Sequence, residues 1–419
     1  MFSLSNTMTL KKSINWKLVS IIVLTILTLG VVFFKFNQIP KNLAFDEVEF
    51  TKLTLSLKNK PYIPYSPSAT GHSTLYFYVL LFFFKIFGVN SFVLRLPAAI
   101  FGVFSVLIIY FIFKKIFLRN SNFIPLLLAI VFITLRWYFN FSRFAFEATF
   151  LLFLELTSIY FLLQCFKTLK WQYFLLTGLF TGLAFNSYTP GRIFFILIFA
   201  AILLKIGIKK SAFKSFLIYL GSFFIVILPL SFYLITHQDI RFNQQFFLKN
   251  NQLTTNKKFG FLWKNVQSTA LMFNIRGDIN GRHNYPNKPA LNPIVGGLFL
   301  FGLLLALINL KKNFFNQFFI LYFILSLIPT LLTYPWENPN MLRTFTVIPA
   351  VIYFCGLTIN FVLYRFNKFK PILLLMFILV IVSSFYEIRT YYKYQVPVFK
   401  EAFEVRFPLD KAIEMEKLL

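Results

Sequence analysis

Three carboxylates stand close together near the start of this 419-residue chain. Asp46, Glu47 and Glu49 lie in the stretch AFDEVEF, although the whole sequence has only 14 acidic residues. Adjacent carboxylates suit proton abstraction from an acceptor hydroxyl, with one group as the base and the other as a ligand or orienting group. The spacing of Asp46 and Glu49 also matches a capping box at the start of an interfacial helix. Capping does not account for Glu47, because burying a second carboxylate without a partner costs free energy.

Further ionisable residues stand at the ends of apolar runs. Glu147 begins such a run, where the helix dipole and Arg143 could stabilise it, but an ionisable residue that faces into a membrane bundle is a functional candidate. Tyr188 and Arg192 flank a Pro-Gly turn and could face a cavity. An arginine at such a position either snorkels towards water or binds a phosphate through two hydrogen bonds. Later loops add candidate phosphate or sugar ligands, namely Arg282, His283 and Arg343.

The composition indicates a membrane protein. Hydrophobic residues make up 58% of the chain and charged residues 13%, which leaves too little polar surface for a soluble domain. Apolar runs of about 16 to 22 residues recur, without the alternation of β-barrel strands, so we expect an all-α polytopic bundle. The net charge is +28. The Lys and Arg residues that produce it lie in short loops, where they set the topology and contact lipid headgroups, so we expect no nucleic-acid partner. Two Cys in apolar runs and three His predict neither a disulfide framework nor a metal site.

The basic loops predict the topology. If every apolar run crossed the bilayer, these loops would lie opposite the basic N-terminus. Treating 73–88 as a re-entrant or interfacial helix returns them to the N-terminal, cytoplasmic side and leaves about eleven spans. All acidic residues except Glu155 then lie on or near the outer surface. The predicted spans are 18–35, 96–115, 122–139, 147–166, 171–187, 192–208, 213–235, 291–310, 314–333, 343–363 and 371–386.

These spans define the expected domain organisation. A membrane domain covers residues 1–390, with outer loops at 37–95 and 236–290, and a short extracytoplasmic amphipathic tail covers 391–419. A long outer loop in a compact bundle is more often functional than not. We therefore expect the active site on the extracytoplasmic face of a plasma-membrane protein.

An ordered set of motifs resembles the membrane glycosyltransferases of the GT-C fold, specifically the bacterial relatives of protein O-mannosyltransferases and of the lipid A aminoarabinose transferase. FDE resembles the acidic motif of the first outer loop, and GHSTLYFYVLLFFFKIFG with FVLRLPAAIFGVFSVLIIY resembles the juxtamembrane helix and the next span. SRFAFEATFLLF resembles the second acidic motif, and SYTPGRIFF the turn after the fifth span. GDINGRHNYPNKPALNPIVGGLFLFGLLLAL and NPNMLRTFTVIPAV resemble later loop and mouth segments.

This resemblance implies an inverting transfer of a sugar from a polyprenyl or dolichyl phosphate to an acceptor hydroxyl. Asp46 would be the general base, and Glu47 and Glu147 would bind the acceptor or donor sugar. The leaving phosphate needs positive charge, and no nucleotide or Asp-x-Asp metal site, so we expect no cofactor. The residues implied at the phosphate are His72, Arg143, Arg192 and Arg343.

Two other functions stay open from the sequence. A flippase or transporter for lipid-linked sugars would favour internal repeats and mid-membrane ionisable residues, and neither is evident. A glycan polymerase or ligase would share the donor chemistry. The sequence does not identify the sugar, or whether the acceptor is a protein, a lipid or a glycan of the cell envelope, and a partner protein could supply the acceptor.

Overall fold

The computed structural model describes residues 16–117, 123–207, 210–366 and 371–415. Its fold confirms the predicted all-α polytopic class. The first half contains α1 to α9, which are Trp16–Phe33, Phe45–Ser56, Leu75–Phe87, Ser91–Ile116, Phe123–Thr134, Arg136–Phe141, Glu147–Thr168, Trp171–Ser187 and Phe194–Ile206. The second half contains α10 to α18, which are Lys210–Thr236, Ile240–Gln245, Thr255–Asn274, Pro293–Ile308, Phe314–Leu331, Ile348–Arg365, Pro371–Thr390, Val396–Ala402 and Leu409–Met415.

One small antiparallel ribbon lies within the described part of the chain. Strand β1 is Tyr65–Ser66 and strand β2 is His72–Ser73, with Tyr65 opposite Ser73. The connection between them turns back at Gly71, whose φ of +91° lies in the region that glycine adopts most readily. The ribbon therefore places His72 directly before α3.

Eight helical segments of the described residues are long and apolar enough to cross a membrane. The predicted count of about eleven is not confirmed, because α5, α8 and α13 have only 12, 17 and 16 residues, fewer than the roughly 20 that a span needs. The predicted span 122–139 is also interrupted at Leu135, whose extended backbone separates α5 from α6. Segment 73–88 forms α3, which has 13 residues and is likewise shorter than a span.

The end of the chain differs from the sequence prediction. The last apolar segment does not end near residue 386 but continues as Pro371–Ala402, through a π-helical turn at Tyr391–Gln395. Glu387, which we expected on the outer surface, belongs to this segment and is buried. Its burial is tolerated because Arg136 Nε lies 3.4 Å from its carboxylate and Asn292 donates a 3.0 Å hydrogen bond to it.

The C-terminal segment packs against the region that carries the acidic motif. Val405 forms an isolated antiparallel bridge with Leu43, and Leu409 and Ile413 of α18 join a buried apolar cluster with Val48 of α2. Glu404 accepts a 3.2 Å hydrogen bond from the Phe45 backbone N–H. The first turn of α2 is thus held from the far end of the sequence.

Candidate active site

A cavity of about 750 Å³ opens beside the first turn of α2. The β-ribbon, α11 and the two loops around residues 280 and 340 complete its wall. It brings together six residues that the sequence indicated, namely Asp46, His72, Tyr188, Arg282, His283 and Arg343. Four other predicted residues do not line it, namely Glu47, Arg143, Glu147 and Arg192.

Asp46 is the partly exposed carboxylate of this cavity. It lies in the first turn of α2, and its side chain is 42% exposed. Arg282 Nη1 donates a 2.6 Å hydrogen bond to Asp46 Oδ2, while Oδ1 accepts from no residue that the structure describes. The turn that presents Arg282 is fixed by Asn280, whose side chain accepts from the Arg282 backbone N–H at 3.0 Å. One oxygen of Asp46 is therefore oriented by the protein and the other is available.

Glu47 has a different environment from its neighbour. Its buried carboxylate accepts hydrogen bonds from Arg95 Nε and Nη2, both at 2.8 Å, and from the backbone N–H groups of Ala44 and Ala145. Because α2 begins one residue after Ala44, Glu47 supplies the cap that we predicted for the Asp46–Glu49 pair. All of these bonds hold α2 in place and leave no acceptor position for a sugar.

His72, which lines the cavity, forms a buried pair with Glu147 behind it. His72 Nδ1 lies 2.6 Å from Glu147 Oε1, and both side chains are at most 2% exposed. Glu147 is the first residue of α7, so its carboxylate also meets the positive end of the helix dipole. Burial and the nearby Arg241 guanidinium lower the pKa of His72 below its ordinary value, although Glu147 acts in the opposite direction. Burial and Arg241 therefore favour the neutral imidazole.

Arg241 is a cavity residue that the sequence reasoning missed. Its Nη1 lies 3.1 Å from His72 Nδ1, and its guanidinium lies 5.6 Å from the centroid of the Tyr188 ring. Within the described ranges it forms no salt bridge with a carboxylate. The signal was present in the stretch THQDIRF, because Asp239 caps α11 by accepting from Phe242 N at 3.0 Å and so presents Arg241 on the first turn. An unpaired guanidinium of this kind suits an anionic ligand.

Two arginines expected at the phosphate instead support the scaffold. Arg143 is fully buried and donates to the carbonyl groups of residues 31, 32, 34 and 39, so it satisfies the free carbonyls at the C-terminal end of α1. Arg192 forms an ion pair with Asp239 and donates to Ser73 Oγ at 3.3 Å. Burial acts to raise the pKa of Asp239, but Arg192 outweighs it and holds that pKa below its ordinary value.

The outer loops are tied together at the other side of the cavity. Asp278 Oδ2 accepts from the Met341 backbone N–H at 2.8 Å and lies 2.9 Å from His283 Nδ1. Arg343 pairs with Glu337, and its buried Nη1 has no hydrogen-bond partner among the described residues. No group of three or more His, Cys, Asp and Glu side chains suited to a metal occurs in the described ranges.

Comparison with known proteins shows a similarity to membrane glycosyltransferases. Residues 71–235 match the family model of dolichyl-phosphate-mannose-protein mannosyltransferases. No curated protein matches the chain by sequence. The predicted resemblance is confirmed by this match together with the fold, and the match bears out the predicted enzyme class, a glycosyltransferase.

The fold is that of two solved membrane glycosyltransferases. Oligosaccharyltransferase AglB from Archaeoglobus fulgidus, in complex with an inhibitory peptide and a dolichol-phosphate, has a TM-score of 0.55 and 13% identity, over 93% of this chain and 56% of that chain. ArnT from Cupriavidus metallidurans in the apo state has a TM-score of 0.57 and 10% identity, over 93% and 78%. The structure of ArnT bound to undecaprenyl phosphate has a TM-score of 0.54. This chain therefore spans little more than half the length of the archaeal protein.

Proposed function

We propose that this protein transfers a sugar from a polyprenyl-phosphate carrier to an acceptor hydroxyl, with inversion at the anomeric carbon and with Asp46 as the general base. The observation that carries the proposal is the content of one cavity of about 750 Å³. It holds a partly exposed carboxylate with a free oxygen, Asp46, and a guanidinium without a carboxylate partner, Arg241. A base for an acceptor and a cation for a phosphate are the two groups that this reaction needs.

The donor phosphate is assigned to Arg241 and His72. The carrier phosphate has one negative charge as a diester and gains a second when the sugar leaves, so fixed positive charge stabilises the transition state more than the ground state. A bound phosphate also favours the protonated form of His72, against the burial that lowers its pKa. The dolichol-phosphate in the AglB structure and the undecaprenyl phosphate in the ArnT structure support a lipid carrier here.

The acceptor side is assigned to Asp46. The carboxylate takes the proton from the acceptor hydroxyl while that oxygen bonds to the anomeric carbon, and the bond from this carbon to the phosphate oxygen breaks with its electrons on the phosphate. Arg282 fixes the orientation of the carboxylate through its 2.6 Å hydrogen bond. Glu147 positions His72, and Glu47 positions the first turn of α2, instead of binding sugar as the family resemblance implied.

The cellular setting is part of the same proposal. The long apolar helices make this a multi-pass membrane protein. We place it in a bacterial plasma membrane, with a cytoplasmic N-terminus and the cavity on the extracytoplasmic side, since that topology follows the basic loops. The reaction is assigned no metal or other cofactor, because arginine and histidine supply the positive charge. The acceptor is a protein, lipid or glycan, with or without a partner protein that presents it.

Transfer of radiolabelled sugar from polyprenyl-phosphate donors in proteoliposomes tests the proposal. Asp46→Asn keeps the size of the side chain and removes the base, so transfer should fall by about 10²–10⁴-fold. Arg241→Gln should weaken donor binding, and Arg241→Lys should restore part of it as a point charge. Glu401→Gln, which changes an exposed carboxylate of α17, is the matched control.

Two outcomes would contradict this assignment. Full activity of Asp46→Asn would remove Asp46 as the base and return it to a structural role at the start of α2. A wild-type protein that moves the lipid-linked sugar across the bilayer without consuming it would instead support the flippase function that the sequence left open.

A further inference from the structure

An exposed tryptophan stands at the rim of the cavity that holds Asp46. Trp336 lines this cavity, and 68% of its surface is exposed. Its ring lies nearly parallel to that of Tyr334, with centroids 4.4 Å apart and an interplanar angle of 17°, and the Phe261 ring stands edge-on with its centroid 6.3 Å away. One side of the indole is therefore covered by the protein, and much of the remaining surface is exposed where the residue lines the cavity.

The segment around Trp336 is held at several points. Asn250 Nδ2 donates to Tyr334 Oη at 3.0 Å. Asn338 Nδ2 donates to Thr330 O at 3.0 Å, and Glu337 is paired with Arg343. The residues before and after Trp336 are thus held in place. An indole that is already ordered in this way loses little conformational entropy when it binds a ligand.

Oriented amide groups line the same cavity as this indole. Asn280 and Asn340 line the same cavity, and each uses Oδ1 to accept a backbone N–H, from Arg282 and Arg343 respectively, at 3.0 Å. Those bonds fix the amide planes, while both Nδ2 groups donate to no described residue. Two fixed donors and an aromatic face in one cavity match a ligand that has hydroxyl groups and an apolar C–H face, which is the chemistry of a sugar ring.

We infer that Trp336, with Asn280 and Asn340, forms a subsite for a saccharide acceptor, whose ring stacks on the indole and places a hydroxyl towards Asp46. This inference rests on the proposed transferase function and names its acceptor class. A tryptophan that only anchors the protein in the membrane interface would face lipid, as aromatic belt residues do, whereas Trp336 shares a cavity wall with these amides. A Ser- or Thr-containing peptide is the competing acceptor, and the experiment separates the two.

Binding without a donor provides the direct test. Saturation-transfer NMR on the purified full-length protein in nanodiscs would measure the binding of four probes, namely chitotetraose, maltotetraose, mannotetraose and a Ser/Thr-rich peptide. We expect at least one tetrasaccharide to bind the wild type. Trp336→Ala should weaken this binding about tenfold, and Trp336→Phe should retain most of it because an aromatic face remains. Trp263→Ala is the matched control, since Trp263 is similarly exposed, at 61%, but lies outside the cavity.

The outcomes separate the subsite from the transferase. Binding that survives Asp46→Asn but not Trp336→Ala supports the subsite, because stacking needs no base. Equal losses in Trp336→Ala and Trp263→Ala, or a wild type that binds the peptide and none of the tetrasaccharides, would overturn it. If tetrasaccharide binding follows Trp336 while no donor is consumed, the subsite stands and the transferase proposal fails. If sugar is transferred to the peptide alone, the transferase stands and the subsite fails.

Discussion

Replacing Glu47 with glutamine tests whether the second acidic residue of the motif is structural. Glutamine has the same shape, but it carries no charge, and one acceptor oxygen becomes an NH₂ donor. In the folded protein the Glu47 carboxylate accepts two hydrogen bonds from Arg95 and two from backbone N–H groups. The new NH₂ group would therefore face N–H donors in a fully buried site.

The structure sets the size of the expected effect. Two of the accepted hydrogen bonds are lost, and at about 1.5–3 kcal/mol for each bond to a charged group the loss is about 3–6 kcal/mol. Breaking a buried ion pair by removing one partner costs about 3–5 kcal/mol. Glu47 is fully buried and Arg95 is 3% exposed, so solvent screening does not reduce these values. We expect Glu47→Gln to lower the free energy of unfolding by about 3–5 kcal/mol.

Equilibrium unfolding in mixed micelles, followed by tryptophan fluorescence, would measure this difference. Glu49→Gln is the control on the same helix, because Glu49 is 26% exposed and pairs with Lys52 at 3.3 Å, so its loss should cost less than about 1 kcal/mol. A double variant, Glu47→Gln with Arg95→Met, should recover part of the stability by removing the unpaired charge. Unchanged stability in Glu47→Gln, together with lost sugar binding, would refute the structural role and return Glu47 to the ligand role that the sequence implied.

Three further predictions concern charged residues around the cavity. Arg143→Met should lower the melting temperature and leave donor affinity unchanged, since Arg143 lies outside the cavity lining and donates to backbone carbonyls of residues 31 to 39. A matching loss of donor affinity in titrations would contradict this prediction. Asp239→Asn should destabilise the protein at pH 7, because Arg192 holds the pKa of Asp239 below its ordinary 3.8 against the effect of burial. That stabilisation is present above about pH 3.8 and is lost as the pH falls through the lowered pKa of Asp239. The melting temperatures of the wild type and of Asp239→Asn should therefore converge in acid. An equally large difference between them at the lowest pH would refute this prediction. Donor affinity should rise as the pH is lowered in the wild type, because a bound phosphate favours the charged form of His72 over the neutral form that burial favours, and should lose this dependence in His72→Gln.

The acidic motif shows how far the sequence could predict the site. Its chemistry marked Asp46 and Glu47 as a pair, but adjacent residues of a helix point about 100° apart. Which of the two meets the cavity depends on Arg95, which lies 48 residues further along the chain. No local pattern reveals that contact, so the sequence identified the motif and assigned sugar binding to the residue that holds the helix.

The membrane helices show a similar division. Apolar runs are a property of composition, and they predicted the all-α class and the position of most helices. Where a run is broken depends on packing, as at Leu135, whose extended backbone ends α5. Glu387 was assigned to the outer surface because the predicted last span ended at residue 386. Its partners Arg136 and Asn292 are distant in sequence, and they make its burial acceptable.

The pairing of charges in the cavity explains why sequence reasoning named several arginines and missed Arg241. Arg282 and Arg343 each face a carboxylate, Asp46 and Glu337, so each contributes a dipole more than a net charge. Arg241 faces His72, whose imidazole is neutral because burial and Arg241 itself lower its pKa. Glu147, which is paired with that imidazole, attracts Arg241 electrostatically but forms no direct salt bridge with it. A phosphate can therefore contact Arg241 without displacing a carboxylate, and the free oxygen of Asp46 is left for the acceptor, so the proposed donor and acceptor positions use different groups of the same cavity.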